Sequence, residues 1–187
     1  MRKPRPKTAQ PITAKISYLA NDGAPSRRES DAFHESGHAV VATLLGVQID
    51  AIELLPAGST PSAKFRFGTV KPEQHDAVVI IAKAGLLAEL AFNPDTPRTP
   101  RRQDERIARR AIHGRLDLIF PEPRQEYLAS AELEALKLVA AHLPVIAALA
   151  NELLSKGKLS GAAVTDFVRQ QLSLSGTTPV SVAKSTA

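Results

Sequence analysis

Three residues in the first quarter of the chain have the types and spacing of a metal-dependent hydrolytic centre. His34, Glu35 and His38 form an H-E-x-x-H pattern within Asp31–Gly46. Residues four apart lie one above the other on the same face of an α-helix, so the two imidazoles can bind one metal ion. Glu35 lies beside them, where its carboxylate can act on water at the metal instead of binding the metal. The pattern predicts one Zn²⁺ per chain and hydrolytic chemistry.

The segment that carries this pattern is predicted to be a buried helix. Ser30 or Asp31 can cap its first turn, and Gly46 follows its last apolar residue, where a helix-terminating glycine belongs. Apolar residues occur on nearly every side of the span, which is typical of a helix inside the core. Buried imidazoles and carboxylates need partners, because unpaired polar groups are costly to bury. A metal ion is one such partner, and hydrogen bonds to neighbouring backbone are the alternative.

A catalytic zinc ion keeps three protein ligands and one open position, so a third ligand must be found. The chain has no cysteine, and the third ligand must therefore be His, Asp or Glu. Glu89 and Asp104 both fall on inward-facing positions of predicted helices. His75 lies near a helix start, and His113 lies on the arginine-rich side of its helix. The helical pattern leaves Glu89 and Asp104 level, and an ion pair with a nearby arginine is the alternative for Asp104.

Length and composition indicate one globular domain with two tails. The 187 residues are 43% hydrophobic and 23% charged, which is ordinary for a single soluble domain. We assign residues 1–15 to a basic disordered tail, 16–172 to the domain and 173–187 to a flexible tail. The net charge of +5 comes largely from the N-terminal tail. Because no aromatic residues are interleaved with those charges, a nucleic-acid partner is not expected.

The apolar runs are short throughout the chain. None approaches the roughly 18 residues of a membrane span, and none follows the basic N-terminus as a signal-peptide core would. We therefore expect no membrane span and a cytoplasmic location.

The remaining periodicities predict a mainly α fold with a small β element, of the α+β class. It would combine a zincin-like active-site helix, short strands and a C-terminal helical bundle. One of the strands is expected to pair with an extended peptide. The strands are predicted at 47–55, with a bulge near residues 51–52, and at 65–70, and the further helices at 72–92, 101–118, 124–142, 145–156 and 160–172.

Several segments resemble, in order, the zinc peptidase domain of the FtsH/AAA-protease family. The strongest match is H-E-S-G-H-A at 34–39, where the family has H-E-A-G-H-A. The resemblance covers roughly residues 30–170, and its weaker matches lie at 52–58, 67–70, 84–92, 104–111 and 153–161.

The resemblance to this family distinguishes the two candidate acids, Glu89 and Asp104. It implies that Asp104 is the third zinc ligand, and that Glu89 is a buried acid supporting the site or an alternative ligand. It also implies a zinc metalloendopeptidase in which Glu35 is the catalytic base and unfolded proteins or peptides are the substrates. The chain departs from the family in having T-P-R-R-Q before Asp104 and no phosphate-binding loop. It is therefore expected to be a stand-alone peptidase domain without the AAA ATPase module, which leaves room for a separate ATPase partner and for a homo-oligomer.

A second function is also consistent with these two differences from the family. The chain could be a non-catalytic helical interaction or regulatory module, in which the metal site is structural or vestigial. The arginine-rich helix or the basic tail would then bind a partner. Stoichiometric zinc and chelator-sensitive activity distinguish the two functions.

Overall fold

The computed structural model describes residues 25–60, 62–98, 101–113 and 120–174. They form a mainly α fold with one small antiparallel sheet, as predicted. The N-terminal tail of residues 1–15 lies outside the described residues. The helices are α1 (Arg27–Leu44), α2 (His75–Phe92), α3 (Arg102–Ala111), α4 (Pro121–Ala141), α5 (Leu143–Lys156) and α6 (Gly161–Leu174), and the strands are β1 (Ile49–Leu54), β2 (Ala63–Phe67) and β3 (Lys158–Ser160).

Helix α1 begins earlier than the sequence pattern predicted. Ser26 is its N-cap, where the Ser26 hydroxyl accepts from the Glu29 amide at 3.3 Å and the Ser26 amide donates to the Glu29 carboxylate at 2.7 Å. This reciprocal pairing satisfies two backbone groups at once, which neither Ser30 nor Asp31 does. The prediction of a cap at those two residues was wrong, because both lie inside the helix and are buried.

The central part of α1 is buried on all sides, as its apolar composition predicted. Every residue from Ser30 to Ala42 is buried, and the helix contacts α2, α4, α5, α6 and the sheet. The helix ends at Leu44, and Gly46 follows the C-cap residue Leu45 with a φ of 68°, a conformation that glycine adopts without strain.

Small residues let α1 and α2 approach each other closely. A Cβ atom added to Gly37 would lie 2.5 Å from the Cβ atom of Ala88 and 2.9 Å from the carbonyl oxygen of Ala84. Such contacts leave no room for a larger side chain at this crossing. Ala84 and Ala88 on α2 thus permit this approach, which brings the polar face of α1 against α2.

The sheet has the order β2–β1–β3 and is antiparallel throughout. A register shift between Ile49 and Ala51 places a bulge in β1, close to the predicted phase slip. Both predicted strands are shorter than expected, and β2 begins at Ala63, two residues before the predicted start. Strand β3 was not predicted, because three residues are too few for an alternating pattern to show.

Local sequence features explain where the C-terminal helices begin and end. Proline occupies the first turn of both α4 and α5, where its missing N–H has no helical partner to lose. For this reason α4 begins at Pro121, three residues before the predicted start. Gly157, with φ of 73°, ends α5, and the Ser160 hydroxyl accepts from the Ala163 amide at the start of α6. Helix α3 was predicted to reach residue 118, but it ends at Ala111, and residues 114–119 lie outside the described part.

Within the described residues, no single helix is both long and apolar enough to cross a bilayer. Helices α4 and α5 meet that requirement only when taken together, and they are bent by 77° relative to each other.

The start of α6 lies against the backbone of β1, and this contact generates a stability prediction. A Cβ atom added to Gly161 would lie 1.6 Å from the carbonyl oxygen of Ile49. We expect Gly161→Ala to lower the free energy of unfolding by about 3 kcal/mol, because helix and strand must move apart. Urea unfolding measures the change, with Ala162→Ser at the next, exposed position as a control expected within about 0.5 kcal/mol of wild type. A Gly161→Ala protein as stable as the control would contradict the contact.

Candidate metal centre

Three ligand-type atoms from two helices meet at one point beside α2. Helix α1 supplies His34 and His38, whose Nε2 atoms are 3.1 Å apart. Helix α3 supplies Asp104, with Oδ2 at 3.0 Å from Nε2 of His34 and Oδ1 at 3.4 Å from Nε2 of His38. All three side chains are buried. Among the described residues, these three form a group with the composition and spacing to hold a metal ion.

The opposite ring nitrogens determine what the two imidazoles present to that point. Nδ1 of His34 lies 2.8 Å from the Glu89 carboxylate, and Nδ1 of His38 lies 2.7 Å from the carbonyl oxygen of Ile81. Both partners are acceptors, so each Nδ1 carries the hydrogen and donates it. A neutral imidazole with hydrogen on Nδ1 has only a lone pair on Nε2. When both imidazoles are neutral, two nitrogen lone pairs and one carboxylate therefore converge with no hydrogen between them.

A cation satisfies this arrangement, and its dimensions fit zinc. Nitrogen and oxygen ligands bound about 2.0–2.1 Å from a tetrahedral zinc ion lie roughly 3.3 Å apart. The three separations here are 3.0, 3.1 and 3.4 Å. Two histidines and one carboxylate are also a common donor set of catalytic zinc.

Without a metal, a proton must take the place of the cation. Burial disfavours a charged His34, but the Asp104 and Glu89 carboxylates outweigh burial and raise the pKa of His34 to about 9. Burial likewise opposes the charge of Asp104, yet the His38 and His34 imidazoles hold the pKa of Asp104 well below its usual range. The site thus favours a negative Asp104 and positive charge on its histidine side.

Gly85 of α2 leaves the space that the two imidazoles occupy. A Cβ atom at this position would lie 2.4 Å from Nε2 of His38 and 2.7 Å from Nε2 of His34. Any larger residue would therefore displace the atoms that converge on the candidate site. Gly85 adopts ordinary helical geometry, so it is this contact, and not backbone freedom, that requires glycine.

Arg101 forms ion pairs with three acids around the site. Its guanidinium lies 2.7 Å from Asp31, 3.0 Å from Glu89 and 3.9 Å from Glu35. Glu89 thus accepts from both His34 and Arg101, which outweigh burial and lower the pKa of Glu89. A carboxylate bound to the far nitrogen of a ligating histidine fixes the ring orientation and raises the basicity of the ligand.

Glu35 is buried next to the cluster but makes none of its close contacts. It lines the same cleft as His34, His38 and Asp104. Burial raises the pKa of Glu35, while His34, His38 and Arg101 act in the opposite direction. A carboxylate with raised proton affinity, adjacent to the metal position and not among its ligands, suits a general base.

The cleft has a volume of about 360 Å³ and two contrasting walls. One wall is formed by β2 and the loop before it, with the aromatic side chains of Phe65 and Phe67. The ring of Phe65 also lies 5.4 Å from the ring of His38, measured between centroids. The other wall is the arginine-rich start of α3, where the lining residues are Arg101, Arg102, Gln103, Asp104, Arg106 and Ile107.

The structure brings together five of the seven residues considered from sequence. His34, His38 and Asp104 converge, Glu35 lines their cleft, and Glu89 lies behind His34 on the side away from the convergence point. This position is that of a supporting acid and does not suit a third ligand. His75 and His113 are exposed and do not belong to the cluster.

Three features of the site were not predicted. They are the ion pairs of Arg101 with the surrounding acids, the space that Gly85 leaves for the imidazoles, and the hydrogen bond from His38 to the Ile81 carbonyl oxygen. The ion pair considered for Asp104 was also wrong, since its charged partners in the structure are the two histidines, while Arg101 pairs with Asp31 and Glu89. The one available signal was the pair Arg101 and Arg102, two cations two and three residues before Asp104 in the sequence.

No protein-family model matches this chain, and a search of curated proteins finds no match.

The contact at Gly85 generates a test of the candidate site. We expect Gly85→Ala to fold, because alanine favours a helix interior by about 1 kcal/mol over glycine. It should nevertheless lose stoichiometric zinc, because the new methyl group displaces both Nε2 atoms. Metal analysis after dialysis measures zinc content, and Ala91→Ser on the exposed side of α2 is the control. A folded Gly85→Ala protein that retains one zinc would contradict this location.

The raised pKa of His34 predicts competition between protons and zinc. The pKa is about 9 in the folded protein against 6.5 for the unperturbed group, so the stabilising proton is fully bound below pH 6.5. The metal-free protein should therefore lose stability as pH rises through 9. Zinc affinity should change in the opposite direction and weaken about tenfold for each pH unit below 9. Competition with a chelator of known pH dependence measures this, and a constant affinity from pH 6.5 to 9 would contradict it.

Proposed function

We propose that this protein is a zinc-dependent metallopeptidase that hydrolyses internal peptide bonds in extended polypeptide segments. The observation that carries the proposal is the convergence of His34, His38 and Asp104, with the buried carboxylate of Glu35 beside them in one cleft. The resemblance of the chain to the FtsH/AAA-protease peptidase domain supports the same function. We include in the proposal unfolded proteins or peptides as substrates and a cytoplasmic location.

The number of ligands favours catalysis over a structural role for the metal. Structural zinc sites are closed by four protein ligands, whereas catalytic sites keep one position open. In the described part of the chain, the metal-type cluster has three residues and lies on a cleft. This observation favours a catalytic centre over the non-catalytic module.

The position of β2 supports a peptide as the substrate. In the described sheet β2 is an outer strand, paired with β1 on one side only. Ala63, Phe65 and Phe67 of this strand line the cleft. An extended segment can add to such an edge by backbone hydrogen bonds, which hold a peptide without demanding one sequence. Unfolded segments are free to adopt this extended conformation.

The chemistry divides between the metal and Glu35. Zinc supplies Lewis-acid activation of water and of the peptide carbonyl when it is bound by three protein ligands. Glu35 accepts a proton from the attacking water as the new carbon–oxygen bond forms. It then gives that proton to the nitrogen as the carbon–nitrogen bond breaks, so the carboxylate is regenerated. Its raised pKa, caused by burial, suits a group that must hold the proton between these two steps.

Glu35→Gln tests this division of roles. The amide keeps the shape of the side chain but cannot accept the proton, so hydrolysis should fall by 10²–10⁴-fold, the usual contribution of general acid–base catalysis. Zinc content should stay at one per chain, because Glu35 is not among the converging ligands. The assay uses an unfolded, fluorescently quenched protein substrate with equimolar zinc.

The control for this test is Glu105→Gln, which removes an exposed carboxylate next to Asp104 and should change neither activity nor zinc content. Wild-type and Glu35→Gln proteins that are equally inert with zinc bound would contradict the proposed function and favour the non-catalytic module. Equal and substantial hydrolysis by both would show that Glu35 is not the base.

A further inference from the structure

Two arginines on the α3 wall of the cleft have no acidic partner among the described residues. Arg102 and Arg106 are exposed and both line the cleft. No carboxylate in the described part of the chain lies within ion-pair distance of either one. Arg101, in contrast, is neutralised by Asp31 and Glu89. The α3 wall therefore offers two unpaired guanidinium groups to whatever enters the cleft.

The acids of the cleft do not cancel this charge. Glu35 and Asp104 are the only acidic residues among its described lining. Asp104 is directed at the two histidines, and the Glu35 carboxylate lies 3.9 Å from the Arg101 guanidinium. A positive wall over a cleft favours negatively charged partners, and it does so most strongly where apolar groups exclude water on the other side. Phe65 and Phe67 provide such an apolar wall.

The spacing of the two arginines matches an extended peptide. Arg102 and Arg106 are four residues apart on one helix, so they lie on the same face about 6 Å apart along its axis. In an extended chain, side chains that point to the same side recur every second residue, at about 6.7 Å. Two acidic residues separated by one residue therefore have nearly the spacing of the two helix positions that carry Arg102 and Arg106.

We propose that the α3 wall, through Arg102 and Arg106, selects peptide segments with alternating acidic residues. The inference rests on the proposed function in taking a peptide as the occupant of the cleft. It adds a substrate class, because pairing along β2 alone would not distinguish one sequence from another. Arginine suits this role, since its planar guanidinium binds carboxylates through two parallel hydrogen bonds.

Isothermal titration calorimetry on the zinc-loaded, full-length Glu35→Gln protein tests the proposal without turnover. The probes are two acetylated and amidated peptides that differ only in a central Glu-Ala-Glu or Gln-Ala-Gln. We expect the acidic peptide to bind at least tenfold more tightly in 50 mM salt, and this ratio to shrink at 500 mM salt. The double variant Arg102→Gln/Arg106→Gln should reduce the ratio to within twofold of one.

The matched control is Arg109→Gln/Arg110→Gln, which removes the same charge from exposed positions of α3 outside the cleft lining. It should keep the tenfold ratio. The reversed variant Arg102→Glu/Arg106→Glu should instead prefer a Lys-Ala-Lys peptide, a gain that misfolding cannot produce.

Three results would overturn the proposal. They are equal binding of the two peptides, no measurable binding of either, and an equal loss of the ratio in the control variant. Because binding is measured separately from hydrolysis, an inactive wild-type protein that still prefers the acidic peptide would reject the peptidase function and leave this specificity standing.

Discussion

The meeting of three buried metal-ligand side chains at one end of a cleft is the constraint on which the rest of the structure depends. The two imidazole Nε2 atoms lie 3.1 Å apart, and the two oxygens of the Asp104 carboxylate lie 3.0 and 3.4 Å from them. Positive charge, from a metal ion or from a proton on His34, compensates the buried carboxylate at this point. Each surrounding feature serves this arrangement, since Ile81 and Glu89 fix the rings and Gly85 leaves room for them.

The fold supplies this arrangement through close packing. Helix α1 can carry two histidines, a glutamate and an aspartate in the core because α2 approaches it over small residues and because Arg101 neutralises the surplus acids. The sheet adds an apolar wall with an outer strand, and α3 adds a basic wall. The cleft between those walls opens directly onto the candidate metal position. The same few residues therefore determine where a metal would lie, which charges surround it and how a substrate reaches it.

Local features were predictable from the sequence, and features that depend on helix crossing were not. The four-residue spacing of His34 and His38 dictates a shared helix face in any fold. The periodicity could not separate Asp104 from Glu89, because both face inward. Their difference is which ring nitrogen of His34 each one reaches, and that depends on how α2 and α3 cross α1. The cap of α1 was misplaced for a simpler reason, since several cap-forming residues occur together and the Ser26–Glu29 pair decided between them.

X-ray absorption at the zinc edge, on zinc-loaded protein after dialysis, tests the central claim most directly. We expect one zinc per chain with about four nitrogen or oxygen neighbours at 2.0–2.1 Å, and with outer-shell scattering from two imidazole rings. Replacing Asp104 by asparagine should change this first shell while leaving both imidazoles in place. Substoichiometric zinc, or a shell of six oxygen atoms without imidazole scattering, would contradict the claim that His34, His38 and Asp104 form a metal centre.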